Sequence, residues 1–186
     1  MRLFPLAALA LGLIASGPSA ATCGALQDVS FRPLAGKEPV NLCERYEGQV
    51  LLVVNTASKC GFTPQYEGLE ALHQRLSDRG FAVVGFPSGD FMGQEFEDEA
   101  QIEEFCTLTY GVKFPMFERV SVKGEQAVPF YRALAAATGQ EPGWNFHKYL
   151  INRQGEVVGS FGSRTKPDDE AMVAEIEKLL AEDAGG

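Results

Sequence analysis

Cys60 stands where an aliphatic run breaks into small polar residues and a helical pattern begins, in VVNTASKCGFTPQYEGLEAL from Val53 to Leu72. A thiol placed there becomes a nucleophile once it is ionised. A helix starting at Thr63-Pro64 would turn unpaired amides and its positive dipole end toward the sulfur, and Lys59 is adjacent; both favour the thiolate. A structural cysteine would instead behave as a small apolar residue in greasy surroundings. Ser58, Lys59 and Gly61 make the surroundings polar and exposed, so a reactive thiol is the better reading.

The chain has four cysteines, the others being Cys23, Cys43 and Cys106. They allow more than one complete pairing, and the sequence alone does not choose among them. No C-x-x-C occurs, which argues against a zinc knuckle and against a standard dithiol oxidoreductase site. The two histidines, His73 and His147, lie far apart and would need further partners to hold a metal. No cofactor is implied. With 16 basic against 25 acidic side chains and a net charge of -9, the surface repels phosphate backbones. Nucleic acid is therefore excluded as a partner.

Around these residues the elements follow from periodicity. Residues 1–21 carry Arg2, an apolar run from Leu3 to Ile14, and small residues Ser19, Ala20 and Ala21, the layout of a secretory signal cleaved near Ala20 or Ala21. The run is too short to span a bilayer, so stable membrane insertion is not expected. Residues 22–186 then form one exported domain. Gly24 to Glu47 is turn-rich. Val50–Val54 reads as a strand buried on both faces. Thr63 and Pro64 cap and open a helix carrying Leu69, Leu72, His73 and Leu76, which Gly80 stops.

Phe81–Phe86 is a second strand closed by Pro87, and Ser88 to Glu97 a loop. Ile102, Phe105, Cys106 and Thr109 mark a second helix, Phe114 to Val122 another strand, and Ala127 to Thr138 a third helix. Tyr149–Asn152 and Val157–Phe161 flank a turn at residues 153–156 and predict a hairpin. Met172, Val173, Ile176, Leu179 and Leu180 stripe a last helix, after which the tail frays. This order predicts an α/β fold, a mixed central sheet flanked by helices on both faces. Cys60 then lies at the edge where such sheets place their chemistry.

Three blocks, in order, resemble the glutathione peroxidase family over essentially the whole mature length. The first is VVNTASKCGFTPQYEGL, where the family carries cysteine or selenocysteine at the position of Cys60. The second is GFPSGDFMGQE, with Gln94 matching its active-site glutamine. The third is WNFHKYLINRQGEVV, where Trp144 and Asn145 match its tryptophan and asparagine. The resemblance implies a thioredoxin-like fold and a thiol peroxidase. Its substrates would be hydrogen peroxide and organic or lipid hydroperoxides. On this reading Cys60 attacks the peroxide and becomes a sulfenic acid. Gln94, Trp144 and Asn145 would donate hydrogen bonds to thiolate and developing oxyanion, donors worth roughly 3 kcal/mol each in other enzymes. Taken alone, Trp144 would read as a packed aromatic and Gln94 and Asn145 as loop caps.

The resemblance also implies that Cys106, in the second helix, resolves the sulfenic acid as a disulfide, which a thioredoxin-like protein or glutathione reduces. Its helical spacing with Ile102 and Phe105 equally allows a core position. Cys23 and Cys43 match no catalytic position, and a structural disulfide between them, worth about 3–4 kcal/mol, is expected. Here Ser88, Gly89 and Asp90 replace the cysteine, asparagine and glutamine of the family's usual F-P-C-N-Q-F. The short stretch from Tyr110 to Trp144 lacks the insertion of tetrameric, glutathione-preferring members, so a monomer is expected, in the bacterial periplasm. Two rival readings use the same thiols: a thiol–disulfide exchange protein, and a redox sensor without peroxidase turnover. His147 is assigned a surface or supporting place, and His73 packs on its helix.

Overall fold

A computed structural model describes residues 23–182. The expected leader and its cleavage site lie outside the described residues, as do residues 183–186. Two short strands, β1 (Ser30–Phe31) and β2 (Val40–Asn41), pair antiparallel and lead into helix α1 (Leu42–Tyr46). Then follow β3 (Val50–Thr56), α2 (Gln65–Leu76), β4 (Phe81–Pro87), α3 (Glu99–Tyr110), α4 (Pro129–Thr138), β5 (Lys148–Ile151), β6 (Val157–Phe161) and α5 (Glu170–Ala181). The main sheet has the order β4-β3-β5-β6, with β3 parallel to β4 and antiparallel to β5, and β5 antiparallel to β6.

The continuous aliphatic run of β3 reflects its central place: all seven residues are buried. Leu52 and Val54 join the core formed with α2 and α5 through Leu69, Leu72, Met172 and Ile176. Leu51 and Val53 face the other way, toward α1 and α4 through Leu42, Phe130, Tyr131 and Leu134. With both faces covered, alternation disappears from the sequence. Helix α2 tightens into a 3-10 turn at Ser77–Arg79 and ends on left-handed Gly80. The β5–β6 hairpin turns where expected, and α5 starts under Asp169, whose side chain accepts from the Met172 amide. Among the described residues no helix is long and apolar enough to cross a membrane.

Two expectations are corrected. Thr63 does not cap α2 with its side chain. Its hydroxyl accepts from the Cys60 amide at 3.0 Å and donates to the Ala57 carbonyl at 2.9 Å, so it closes the loop that carries Cys60. The segment Phe114 to Val122 is not a regular strand. It touches Gly85 on one side and Pro33 on the other through single bridges. Pro115 has no amide to contribute to a ladder, although its carbonyl accepts from the Gly85 amide at 2.9 Å. Glycine at position 85 leaves room for the Met116 side chain, whose sulfur a Cβ there would run into.

Candidate active site

Beyond β3 the chain turns through residues 57–64 before α2 begins, and Cys60 sits within this turn, only 8% exposed. The surroundings are less open than the local composition suggests: Ser58 and Thr63 are buried, while Lys59 and Gly61 are exposed. The first amides of α2 do not reach the sulfur. Those of Gln65, Tyr66 and Glu67 bond to the carbonyls of Phe62, Thr63 and Pro64. The Phe62 amide instead donates to Cys60 Sγ at 3.4 Å. The Lys59 ammonium lies 3.9 Å from the centre of the Phe96 ring, a cation–π contact.

A second loop closes over this turn. The Lys59 amide donates to the Gln94 carbonyl at 2.9 Å. The Glu95 carboxylate accepts from the amides of Ser58 and Phe96 at 3.1 and 2.9 Å. Gly89 and Asp90 have a structural account. Asp90 Oδ2 accepts from Ser121 Oγ and from the Val122 and Lys123 amides, at 2.9, 2.6 and 3.3 Å. A Cβ at Gly89 would collide with the Arg119 guanidinium. The loop is thus tied to the segment at 119–123 and holds the Phe91 ring 5.4 Å from that of Trp144.

The third strut precedes β5. Asn55 of β3 donates from its side chain to the Trp144 carbonyl at 3.1 Å and accepts from the His147 amide at 3.1 Å. Between them Phe146 adopts a left-handed backbone, φ +62°, unusual for an aromatic residue and costing on the order of 1–3 kcal/mol. The fully buried Asn145 donates from Nδ2 to Gln94 Oε1 at 3.0 Å, while its own Oδ1 has no partner among the described residues. Gln94 and Asn145 are thus in direct contact, Gln94 is tied to the residue before Cys60, and Trp144 packs against both core clusters.

Cys106 lies in the same cluster as Cys60 but at 2% exposure, inside α3; both are free thiols. Burial pushes the Cys106 thiol up to about 11, with the Tyr66 hydroxyl opposing the rise and the Glu95 carboxylate adding to it. Cys23 and Cys43 are joined in a disulfide on the opposite side of the sheet. His147 meets Ser160 Oγ at 2.9 Å and packs its ring, tilted by 57°, against that of Tyr149; burial, then the charge of Lys148, pushes it down to about 4. His73 accepts from the Val83 amide at 3.3 Å and is lowered by its burial.

Several residues here carry no spacing signal in the sequence. Glu95 is nearly inaccessible, its carboxyl raised by burial, and its Oε2 is without a partner, as are Thr56 Oγ1, Ser58 Oγ and Tyr66 OH among the described residues. Lys148 is fully buried, and its ammonium donates to Gln65 Oε1 and to the Phe146 carbonyl, both at 2.7 Å. A lysine inside the apolar run of β5 was the signal available for it. Among the described residues no three His, Cys, Asp or Glu side chains gather as a metal site.

Residues 26–135 match the family model described as glutathione peroxidase. A hydroperoxy fatty acid reductase from Synechocystis is 50% identical over 145 residues, covering 73% of this chain and 85% of its own. Among solved structures, the apo form of a protein designated Trgpx aligns with TM-score 0.67 and 34% identity, over 86% of this chain and 96% of that one. A thioredoxin-family thiol:disulfide interchange protein from Chlorobium tepidum, 17% identical with TM-score 0.64 over 89% of this chain and all of its own, shares the fold alone. The sheet and helices described above form a thioredoxin-like α/β fold.

Proposed function

The chain belongs to the glutathione peroxidase family and is a thiol peroxidase, and from that premise we propose that Cys60 is the sulfur that meets the peroxide. The observation that carries this is the convergence of three segments at the turn that holds Cys60. An amide is aimed at Sγ, the preceding residue is bonded to Gln94, and Gln94 is held by Asn145. Because Asn145 Nδ2 occupies Gln94 Oε1, the Gln94 Nε2 donor is left for thiolate and oxyanion. Asn145 is in this reading a positioning residue, and the Trp144 indole is the second donor.

The Cys60 sulfur bonds to the terminal oxygen of the hydroperoxide and the O–O bond breaks. Its electron pair leaves on the other oxygen, which takes up a proton as alcohol or water. Sulfur is oxidised to the sulfenic acid and the peroxide is reduced. The Cys106 sulfur then attacks Cys60, and hydroxide departs with the Cys106 proton as water. The resulting disulfide is reopened by two electrons from a thioredoxin-like protein or glutathione. Substrates are hydrogen peroxide and organic or lipid hydroperoxides. Export to a bacterial periplasm is supported by the leader pattern of residues 1–21 and by the Cys23–Cys43 disulfide, and the enzyme acts as a monomer.

Steady-state hydroperoxide reduction, with glutathione compared against a thioredoxin system, tests the assignment. Cys60→Ser should abolish turnover with either reductant, and Cys106→Ser should abolish the thioredoxin-coupled cycle. Full turnover by Cys60→Ser removes Cys60 from the chemistry; full thioredoxin-coupled turnover by Cys106→Ser removes the resolving role.

A further inference from the structure

Lys148 is the only charged side chain at 0% exposure among the described residues, and it makes no salt bridge there. Charges buried this deeply are ordinarily paired with an opposite charge, because taking an ammonium out of water is costly. The Lys148 ammonium is answered instead by two neutral oxygens, the Phe146 carbonyl and Gln65 Oε1, both at 2.7 Å. Gln65 is anchored in turn: its Nε2 donates to the Ser163 carbonyl at 2.6 Å, in the loop that precedes α5. Methionine would fill the same space in β5 without taking a charge out of water. The reason for a lysine therefore lies in what its ammonium holds.

It holds the carbonyl of a strained residue. Phe146 is left-handed at φ +62°, with its ring edge-on to that of Tyr66, centroids 5.3 Å apart. Asn55 fixes the groups around it. Its side chain donates to the Trp144 carbonyl and accepts from the His147 amide, and its carbonyl accepts from the Phe146 amide at 2.6 Å. None of these bonds reaches the Phe146 carbonyl, and Lys148 supplies that one. With Lys148 and Asn55 together, the Trp144 carbonyl, both polar groups of the Phe146 backbone and the His147 amide are all fixed. On the other side of the turn Asn145 reaches Gln94 Oε1 at 3.0 Å. A Phe146 carbonyl released from Lys148 would be unpaired in the core, and its residue would relax toward an ordinary φ. Rotation there turns Asn145 and Trp144 relative to β5 and pulls Asn145 off Gln94.

We propose that Lys148 is a positioning residue of the peroxidase reaction, whose ammonium locks the Phe146 peptide and with it the turn that presents Trp144 and Asn145 to the Cys60 loop. Its ammonium makes no bond to sulfur among the described residues. It acts through Phe146 on Asn145, through Asn145 on Gln94, and through the same turn on the Trp144 indole. The proposal rests on the reading of Gln94 and Trp144 as donors and deepens it by naming what sets their geometry. The donors are then held from two sides, by Asn55 of β3 and by Lys148 braced on Gln65 of α2.

The test reads two reactions of the same thiolate. In a Cys106→Ser background, Cys60 is oxidised once by hydrogen peroxide or alkylated once by iodoacetamide, and the ratio of the two second-order rate constants is taken. Alkylation expels iodide and needs no donor for an oxyanion, whereas cleavage of the O–O bond does. Both need the thiolate, so a change in its ionised fraction cancels. Lys148→Met should lower the peroxide-to-alkylation ratio about tenfold, short of the roughly hundredfold typical of losing a donor outright. Trp144 is the chain's single tryptophan, and its emission should shift in the same variant. Gln65→Met, at the half-buried first position of α2, removes one of the two anchors of the ammonium and should lower the ratio about threefold. An unchanged ratio in folded Lys148→Met overturns the proposal; where that variant does not fold, an unchanged ratio and emission in Gln65→Met overturn it. Gln94→Ala and Trp144→Phe are the reference. If both of these leave the ratio at the unmodified value, the donor reading itself falls and takes the proposal with it.

Discussion

Lys148→Met probes the least expected feature of the site. The ammonium is fully buried, and burial pushes it down from 10.5 to about 7. The sign follows from proton binding. Below pH 7 both folded and unfolded states carry the proton, and the folded state bears the whole cost of holding a charge away from water. Between pH 7 and 10.5 the folded state has released its proton while the unfolded state retains it, so the cost shrinks as pH rises, and above 10.5 it is gone. One pH unit corresponds to about 1.4 kcal/mol, which makes the cost on the order of 5 kcal/mol at pH 6 and, since the folded state is half protonated at pH 7, about 2 kcal/mol smaller at pH 9 than at pH 7.

Methionine removes this dependence without removing the chain of methylenes. It also strips the Phe146 carbonyl and Gln65 Oε1 of their donor, a cost of about 1–3 kcal/mol for each buried group that water does not reach. The stability difference at any one pH therefore mixes opposing terms, and its change with pH is the clean quantity. Urea unfolding of both proteins from pH 7 to pH 9 should show the unmodified protein gaining about 2 kcal/mol relative to Lys148→Met. Cys106, pushed up to about 11 by burial, keeps its proton across the window in the folded state and is common to both proteins. His147, pushed down to about 4, changes charge below the window. Parallel stability curves across pH 7–9 would refute the reasoning, because they would mean that Lys148 keeps its proton throughout.

Thr63→Val leaves the Cys60 amide and the Ala57 carbonyl without their shared hydroxyl, and should cost about 2–4 kcal/mol in denaturant unfolding and lower kcat/KM for peroxide, with Thr63→Ser restoring both. Glu95→Ala strands the amides of Ser58 and Phe96; a loss of about 2–5 kcal/mol is expected by calorimetry, and a smaller one for Glu95→Gln, which keeps an acceptor oxygen. Gly85→Ala drives a methyl into the Met116 sulfur and should destabilise by about 1–3 kcal/mol, a loss that the double variant with Met116→Ala should partly recover in the same unfolding assay.

The sheet was legible because burial on both faces leaves a plain mark: Val50–Val54 and Phe81–Phe86 are aliphatic or aromatic without alternation, and both became fully buried strands. The helix stripes were legible for the same reason. Phe114 to Val122 was misread because its apolar content comes from packing, while its pairing is broken up between Gly85 on one side and residues near Pro33 on the other. Thr63 was misread because a threonine before a proline fits a helix cap by type, whereas its hydroxyl found nearer partners in the preceding turn. Glu95 and Lys148 show the harder limit. A buried charge is stabilised by partners distant in the chain, Ser58 for one and Gln65 for the other, and no local pattern encodes such a meeting.

The two free thiols share one core cluster yet are dressed for different parts. Cys60 lies in a turn with an amide donor on its sulfur, so charge on sulfur is supported where it sits. Cys106 faces burial and the Glu95 carboxylate, which together hold it as a thiol at neutral pH. In the resolving role it must leave that setting, and α3 provides a place to yield. The Cys106 carbonyl accepts from the amides of Gly111 and Val112, so the left-handed cap that ends the helix hangs on the same residue that has to move. Releasing Cys106 and losing the cap are then one event rather than two. The side of α3 turned to solvent already shows Leu108 at 75% exposure, so little apolar packing resists the last turn from outside. Such local opening costs less than unfolding the domain, and in the proposed cycle its free energy would set how much of the enzyme is ready to form the disulfide at any moment. Resolution is on this account gated by the stability of one helix end. The proposed attack by Cys60 on the peroxide is not, because the loops around Cys60 are bonded in place before substrate arrives.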